Sequence, residues 1–415
     1  MVRSEIPSFP GFEEKEGPDG PTSKDLTCDV AIVGCGVAGL YAALNLPRAL
    51  RIVMISKEDL ASCDSMLAQG GICVMRDHDD YDSWFDDTMR AGHGENRKES
   101  VDRMIWDSRC VINDLIRLGV DFDKLPNGQL DYTREGAHSR PRIVHHADIT
   151  GKEITTKLLA RVRELKNVRI YEWHTMDDIL VDEAGACTGV TGTDRKGLCF
   201  NIHATDTLLA TGGVGGLYEH STNFQCLTGD GCRIARDHGV ELEHMDYVQI
   251  HPTTFYTTKP GRVFLISEAC RGEGAILLDA QGKRFCNELE PRDIVSQNIM
   301  RQMKKDGTKH VWLSFENVPS DVIRGHFANI YQHCLDEGYD LLKEPIPVVP
   351  AQHYLMGGIH VDQDSRTTMD HLYAAGETSC NGVHGKNRLA SNSLLESLVF
   401  TRLAARDIVR KRHKA

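Results

Sequence analysis

No apolar run approaches the roughly 18 residues that a membrane-spanning helix needs, and residues 1–26 carry no apolar core of the kind a secretory leader has. The chain is therefore expected to be cytoplasmic, with no membrane partner. Positive charge is also in short supply: 48 Lys and Arg stand against 60 Asp and Glu, a formal net charge of −12. That balance excludes a nucleic-acid backbone as the main partner, although it leaves room for a local basic pocket. Cysteine pairs are missing. The 13 cysteines are scattered and odd in number, and none forms a C-x-x-C. They read as reduced packing thiols, and no metal site is expected. Aromatic residues make up only 7% of the 415 residues, with 40% apolar and 26% charged, which describes an ordinary globular chain of two or three domains.

What is present begins at residues 29–57. A short apolar run (30–33) leads into Gly34, Gly36 and Gly39 at G-x-G-x-x-G spacing, then a helix-like segment to Leu46 and a second apolar run at 52–55. Gly34 allows a tight turn, Gly36 lets backbone approach a pyrophosphate, and Gly39 lets helix pack on strand. The first helical residues, Val37 and Ala38, would offer free N–H groups to the anion. The order strand, turn, helix, strand points to a dinucleotide cradle. At the end of the second run, where an acidic residue would hold a ribose hydroxyl, stand Ser56 and Lys57, with Glu58 one step later. That weakens NAD as the ligand and keeps FAD open.

Residues 1–27, rich in Pro, Gly and charge, read as a loose surface arm. At 65–75 the Gly70-Gly71 pair serves either a ligand or a plain turn. Residues 83–118 are helical by three- and four-residue apolar steps. Residues 131–151 crowd Arg134, Glu135, His138, Arg140, Arg142, His145 and His146 into a segment without periodicity, either a solvated loop or a site wall. Strands are expected at 168–171, 186–194 and 207–210, the last running into Ala210, Thr211 and Gly212. Residues 240–345 lose this cadence and read as an inserted domain, mainly helical over 293–342, with Pro345, Pro347 and Pro350 as a stiff return linker. A strand at 372–375 then reaches Gly376-Glu377, which supplies the carboxylate that Ser56 lacks. Ser391, Asn392 and Ser393 are N-cap residues before an apolar stripe opened by Leu394, so a helix starts there with its positive end toward the preceding chain.

Seven separated motifs together carry a resemblance: AQGGI (68–72), REGAHSRPRIVHHADITGKEI (134–154), QIHPT (249–253), SEACRGEGAIL (267–277), QHYLMGGI (352–359), AAGE (374–377) and HGKNRLASNSLLE (384–396). From about residue 28 onward the chain resembles the flavoproteins of the succinate dehydrogenase and fumarate reductase superfamily, and within it the L-aspartate oxidase branch. The resemblance implies an α/β fold, with a Rossmann-type FAD-binding domain (28–240 and 345–415) split by an inserted α+β capping domain (241–344). It implies non-covalent FAD, because Asp64 takes the place of the histidine that attaches FAD in the membrane-bound branches. The residues it assigns to the cofactor are Gly34, Gly36, Val37, Ala38, Gly39, Ser56, Lys57, Ser65, Ala68, Gln69, Gly70, Gly71, Ala210, Thr211, Gly212, Asp230, Glu377, Arg388, Ser391, Ser393 and Leu394.

For the substrate, the resemblance implies Arg388, His353 and His251 on the two carboxylates of a four-carbon acid, with Gln249 beside them. Arg271 would transfer the proton, Glu268 would neighbour it, and Glu135 would meet the substrate ammonium. The implied reaction is oxidation of L-aspartate to iminoaspartate with dioxygen or fumarate as acceptor, the first step of quinolinate and NAD synthesis, with quinolinate synthase as a possible partner. A soluble fumarate reductase or succinate dehydrogenase-type flavoprotein is the alternative. Ala137, Pro141 and Lys386 depart from the usual motifs, and the chain stops at Ala415 where many aspartate oxidases continue into a helical domain.

Overall fold

The structure is a computed structural model that describes residues 14–16 and 24–412. Its centre is an eight-stranded sheet. Four parallel strands lie side by side in the order Val168–Glu172, Ile52–Ser56, Lys24–Val33 and Cys199–Leu209. Cys187–Asp194 and His174–Val181 extend the sheet antiparallel, while Leu372–Ala374 pairs parallel with Cys199–Leu209. The apolar runs at 30–33 and 52–55 are buried throughout, as parallel strands covered on both faces must be. One cover is helical: Val37–Asn45, Lys98–Arg117, Thr150–Arg163 and Ser393–Arg412 pack there around a single apolar core. A second core, with Met176, Ile179, Cys232, Ile234 and Val361, fills the other face.

A second sheet, all antiparallel, runs in the order Val248–Phe255, Ile346–Leu355, Val311–Ser314 and Ile276–Leu278. Helices Arg292–Asp306, Ser320–Gly325 and Ala328–Asp336 pack with it around an apolar core of their own. The stiff linker expected at 345–350 is instead part of the strand Ile346–Leu355. The strand tolerates its prolines: Pro347 uses its carbonyl to accept from the Tyr256 N–H, and Pro350 falls at the register shift between His251 and Thr254, where the ladder is already broken. Val311–Ser314 likewise lies in the stretch expected to be mainly helical.

The arm expected over 1–27 is corrected where it is described. Glu14–Glu16 pairs antiparallel with the start of Lys24–Val33, so residues 24–27 belong to the central sheet; residues 1–13 and 17–23 lie outside the described residues. Backbone pairing to a neighbouring strand holds this polar segment in place of an apolar face. Among the described residues no helix is long and apolar enough to cross a membrane.

Candidate active site

A cleft of about 1690 Å³, counting the space open at its mouth, lies at the carboxyl ends of the parallel strands, where open α/β sheets bind their ligands. Gly34, at φ 111°, forms its base: a Cβ there would sit 2.0 Å from the Ala210 carbonyl oxygen. Gly39 does not face the cleft but packs beneath, where a Cβ would meet the Gly34 carbonyl at the same 2.0 Å. The helix Val37–Asn45 opens onto the cleft with no acidic side chain in its first turn, and the Val37 N–H donates to Ser65 Oγ at 3.1 Å. The N–H groups that follow it in the first turn and the helix dipole suit a pyrophosphate. Gly34→Ala is therefore expected to abolish or severely weaken cofactor binding and to lower the Tm, measured by bound flavin absorbance and thermal unfolding.

Ser56 and Lys57 also line the cleft. Lys57 Nζ lies 2.6 Å from Asp230 Oδ2 and donates to Thr228 Oγ1 and the Cys226 carbonyl at 2.9 Å each, so it ties down the loop beside the cradle. Ala68, Gln69, Gly70, Gly71, Ala210, Thr211, Gly212, Glu377, Ser393 and Leu394 complete the same wall. The donor set fits FAD: a glycine base for the pyrophosphate, carboxylates for hydroxyls, and the start of the Ser393–Arg412 helix at the far side. Ser391 is held at φ 60°, a strained position for a serine, where its Oγ accepts from the Gly71 N–H at 3.2 Å and donates to Glu135 Oε2 at 2.5 Å.

Beyond Ser391 the cleft ends in Glu135, His251, Glu268, Arg292, His353 and Arg388. Glycines make room for the carboxylates: a Cβ on Gly70 would lie 2.4 Å from Glu135 Oε1, and one on Gly136 would lie 2.3 Å from Glu268 Oε1. Burial, helped by the charge of Glu268, raises the Glu135 pKa above the usual carboxylate range. Glu268 goes the other way. Burial pushes its carboxyl up, but Arg292 and Arg271 outweigh that and hold it below its usual value.

Arg388 packs its guanidinium over the Tyr354 ring at 4.4 Å, donates to Ser393 Oγ and reaches Gln249 Oε1 at 3.3 Å; burial lowers its pKa to about 10, which still leaves it cationic. Both histidines are neutral, because burial in the company of these arginines drives their pKa values well below the usual range. His251 Nδ1 lies 3.1 Å from the Thr253 carbonyl oxygen and 3.2 Å from the Thr253 backbone nitrogen, and among the described residues its buried Nε2 has no partner. His353 Nδ1 lies 2.7 Å from Thr222 Oγ1.

Two residues expected at the site stand behind it. Gln249 is a positioning residue: its Nε2 donates to the Arg388 carbonyl at 2.8 Å, while its Oε1 accepts from Arg292 Nη1, also at 2.8 Å. Arg271 is fully buried, donates to the Glu288 carbonyl at 2.6 Å and approaches Glu268 Oε2 only to 3.6 Å. Of the two arginines beside Glu268, the one that lines the cleft is Arg292, whose Nε contacts Glu268 Oε2 at 2.5 Å. Sequence reading missed it, together with Thr222 and Arg262. A signal for Arg292 was available: a cation on the first residue of a helix opposes the helix dipole, and such local conflicts mark functional positions.

A family profile described as "FAD binding domain" matches residues 29–394. The L-aspartate oxidase of Clostridium perfringens is 50% identical over 381 residues, covering 92% of this chain and 86% of its own length. That of Neisseria meningitidis is 41% identical over 391 residues, covering 92% and 78%. Among solved structures, an Escherichia coli quinol fumarate reductase flavoprotein superposes with a TM-score of 0.87 at 33% identity, covering 94% of this chain and 71% of that one. With the glycine cradle, the buried arginines and carboxylates at the end of the cleft and these likenesses together, the chain belongs to the L-aspartate oxidase family of FAD-binding flavoproteins.

Proposed function

We propose that the chain binds FAD non-covalently and oxidises L-aspartate to iminoaspartate. The observation that carries this reading is the composition of the cleft's end: two arginines and two neutral histidines suited to two carboxylates, with one carboxylate, Glu135, suited to an ammonium. Arg388 and His353 take one substrate carboxylate, and His251, through its unpartnered Nε2, takes the other. Ionised Glu135 orients the ammonium group and accepts its proton. Arg292 faces the substrate, and with Glu268 and Arg271 behind it forms a chain of charged groups able to move a proton to or from Cβ. An arginine is a weak acid, so this role depends on the buried carboxylate beside it. FAD, held by the glycine cradle, would supply the hydride acceptor, with dioxygen or fumarate as the final oxidant.

The sheet and helices spanning 248–355 act as a cap inserted into the FAD domain, excluding water from the reacting atoms. The product imine hydrolyses readily, so a consuming enzyme of quinolinate synthesis in the same cytoplasm suits it. The reading is tested in air with purified protein. L-aspartate should give peroxide and ammonia in equal amounts, with no turnover of D-aspartate or succinate. The likeness to quinol fumarate reductase favours a second reading, a soluble fumarate reductase, and faster turnover of succinate than of aspartate would establish it instead.

A further inference from the structure

Ser391, whose hydroxyl meets Glu135, is itself gripped from behind the cleft wall. His138 is buried and stands outside the cleft lining. Its Nδ1 lies 2.9 Å from Arg142 Nη1, and its Nε2 lies 3.0 Å from the Ala390 carbonyl oxygen. A guanidinium only donates and a carbonyl only accepts, so Nδ1 accepts while Nε2 carries the ring proton and donates to Ala390. Arg142 is fixed in turn. It is fully buried, with Asp80 Oδ1 3.0 Å from Nη2 and Asp87 Oδ2 2.8 Å from Nη1, and both aspartates belong to the helix Asp80–Ala91. Burial, then the charge of Arg142, lowers the His138 pKa to about 4, which keeps the ring neutral above that pH.

The bond to Ala390 bears directly on Ser391. The backbone angles of a residue set how the peptide groups on its two sides are turned, and here both groups are tied. The Ala390 carbonyl accepts from His138 Nε2 and, more weakly, from Cys73 Sγ at 3.7 Å, while the Ser391 carbonyl accepts from the Cys73 N–H at 3.0 Å. A serine released from these ties would leave φ 60° for the extended or right-handed regions that an L-residue prefers. His138 also closes the turn that carries Glu135, since its N–H donates to the Glu135 carbonyl at 3.3 Å. One residue thus sets the spacing of Glu135 and Ser391.

We infer that His138 is a positioning residue for Glu135: by holding the Ala390 carbonyl it keeps Ser391 in its strained conformation, with Oγ on Glu135 Oε2. Glu135 then faces the amino group of the substrate in one orientation. The inference rests on the proposed role of Glu135. The Ser391 hydroxyl donates to the Glu135 carboxylate and favours its ionised form, as do Arg292 and Arg388, while burial and Glu268 oppose it. Without the His138 tie Ser391 turns away, the hydrogen bond is lost and the Glu135 pKa rises further. The acid limb of kcat/KM for L-aspartate then moves to higher pH. Fumarate has no ammonium group, so its reduction does not depend on this orientation.

The experiment compares the FAD-loaded wild type with His138→Phe, His138→Asn and His138→Gln. For each, kcat/KM is measured for L-aspartate oxidation and for fumarate reduction between pH 6 and 9, with flavin content and Tm on the same samples. Phe has no donor, the Asn amide is one carbon too short to place a donor where Nε2 stands, and the Gln amide reaches that point. Phe and Asn are expected to lower kcat/KM for L-aspartate by about tenfold to 100-fold, to move its acid limb to higher pH, and to leave fumarate reduction within about twofold. Gln is expected to restore the limb and most of the rate. In a Glu135→Gln background, His138→Asn should cost nothing further with L-aspartate. Equal losses with both substrates, an unmoved limb in the Asn variant, or a further loss in that background overturns the inference. If the Phe variant does not fold, as its Tm shows, the contrast between Asn and Gln decides. A failure of the Glu135 reading shows itself separately, as equal losses with both substrates in Glu135→Gln alone.

Discussion

Arg292→Gln is expected to lower kcat for L-aspartate by about 1000-fold while FAD stays bound, because the change removes the charged group that faces the substrate and strands Glu268. Arg271→Gln, by contrast, is expected to cost about tenfold to 100-fold, since Arg271 is one carboxylate away from the cleft and touches it only at 3.6 Å. The contrast separates two roles that the sequence merges. With Arg292 lost, Glu268 would be left buried with its main balancing charge gone, so its pKa would climb and the proton chain would stop at its first member. A steady-state comparison of the two variants, with flavin content from absorbance, makes the test. Equal losses, or a larger loss at Arg271, would return the proton-transfer role to Arg271.

Glu135→Gln should be the most selective change in the cleft. It is expected to reduce kcat/KM for L-aspartate by about 100-fold or more, the cost of leaving a buried ammonium without its counter-charge, and to reduce fumarate reduction only a few-fold. The pH profile supplies a second readout. Glu135 must be ionised to accept from the ammonium, and its pKa is raised by burial and by Glu268. In the unmodified enzyme kcat/KM for aspartate therefore rises with pH up to that raised pKa and then levels, at no more than tenfold per unit. The amide variant loses this limb, since it has no proton to shed. Equal losses with aspartate and fumarate would detach Glu135 from the ammonium.

Local requirements were legible in the sequence and long-range ones were not. Gly39 is demanded by its contact with Gly34, which any strand–turn–helix cradle makes, so spacing alone locates the pair, although the Ala210 carbonyl that crowds Gly34 comes from a distant strand. The start of the Ser393–Arg412 helix was visible in its three cap residues and apolar stripe. Arg292 was hidden because its partners, Glu268 and Gln249, lie 24 and 43 residues away and meet it only once the second sheet has folded. Gln249 and Arg271 belong to motifs that the resemblance picks out, but a motif does not say which way a side chain points, and both turn out to sit behind the wall. The prolines at 347 and 350 misled for a different reason: proline excludes a strand only where an N–H is needed, and neither Pro347, which accepts through its carbonyl, nor Pro350, at a register shift, is asked for one.

The substrate assignment rests on charge at one end of a single cleft, and one experiment addresses it most directly. The purified, FAD-loaded protein is mixed with L-aspartate in the absence of oxygen and its visible spectrum followed. The account predicts complete bleaching of an acid-releasable flavin by L-aspartate, none by D-aspartate or succinate, and return of the colour on adding fumarate or air. A flavin that stays oxidised with L-aspartate, yet is reoxidised by fumarate after chemical reduction, would contradict it.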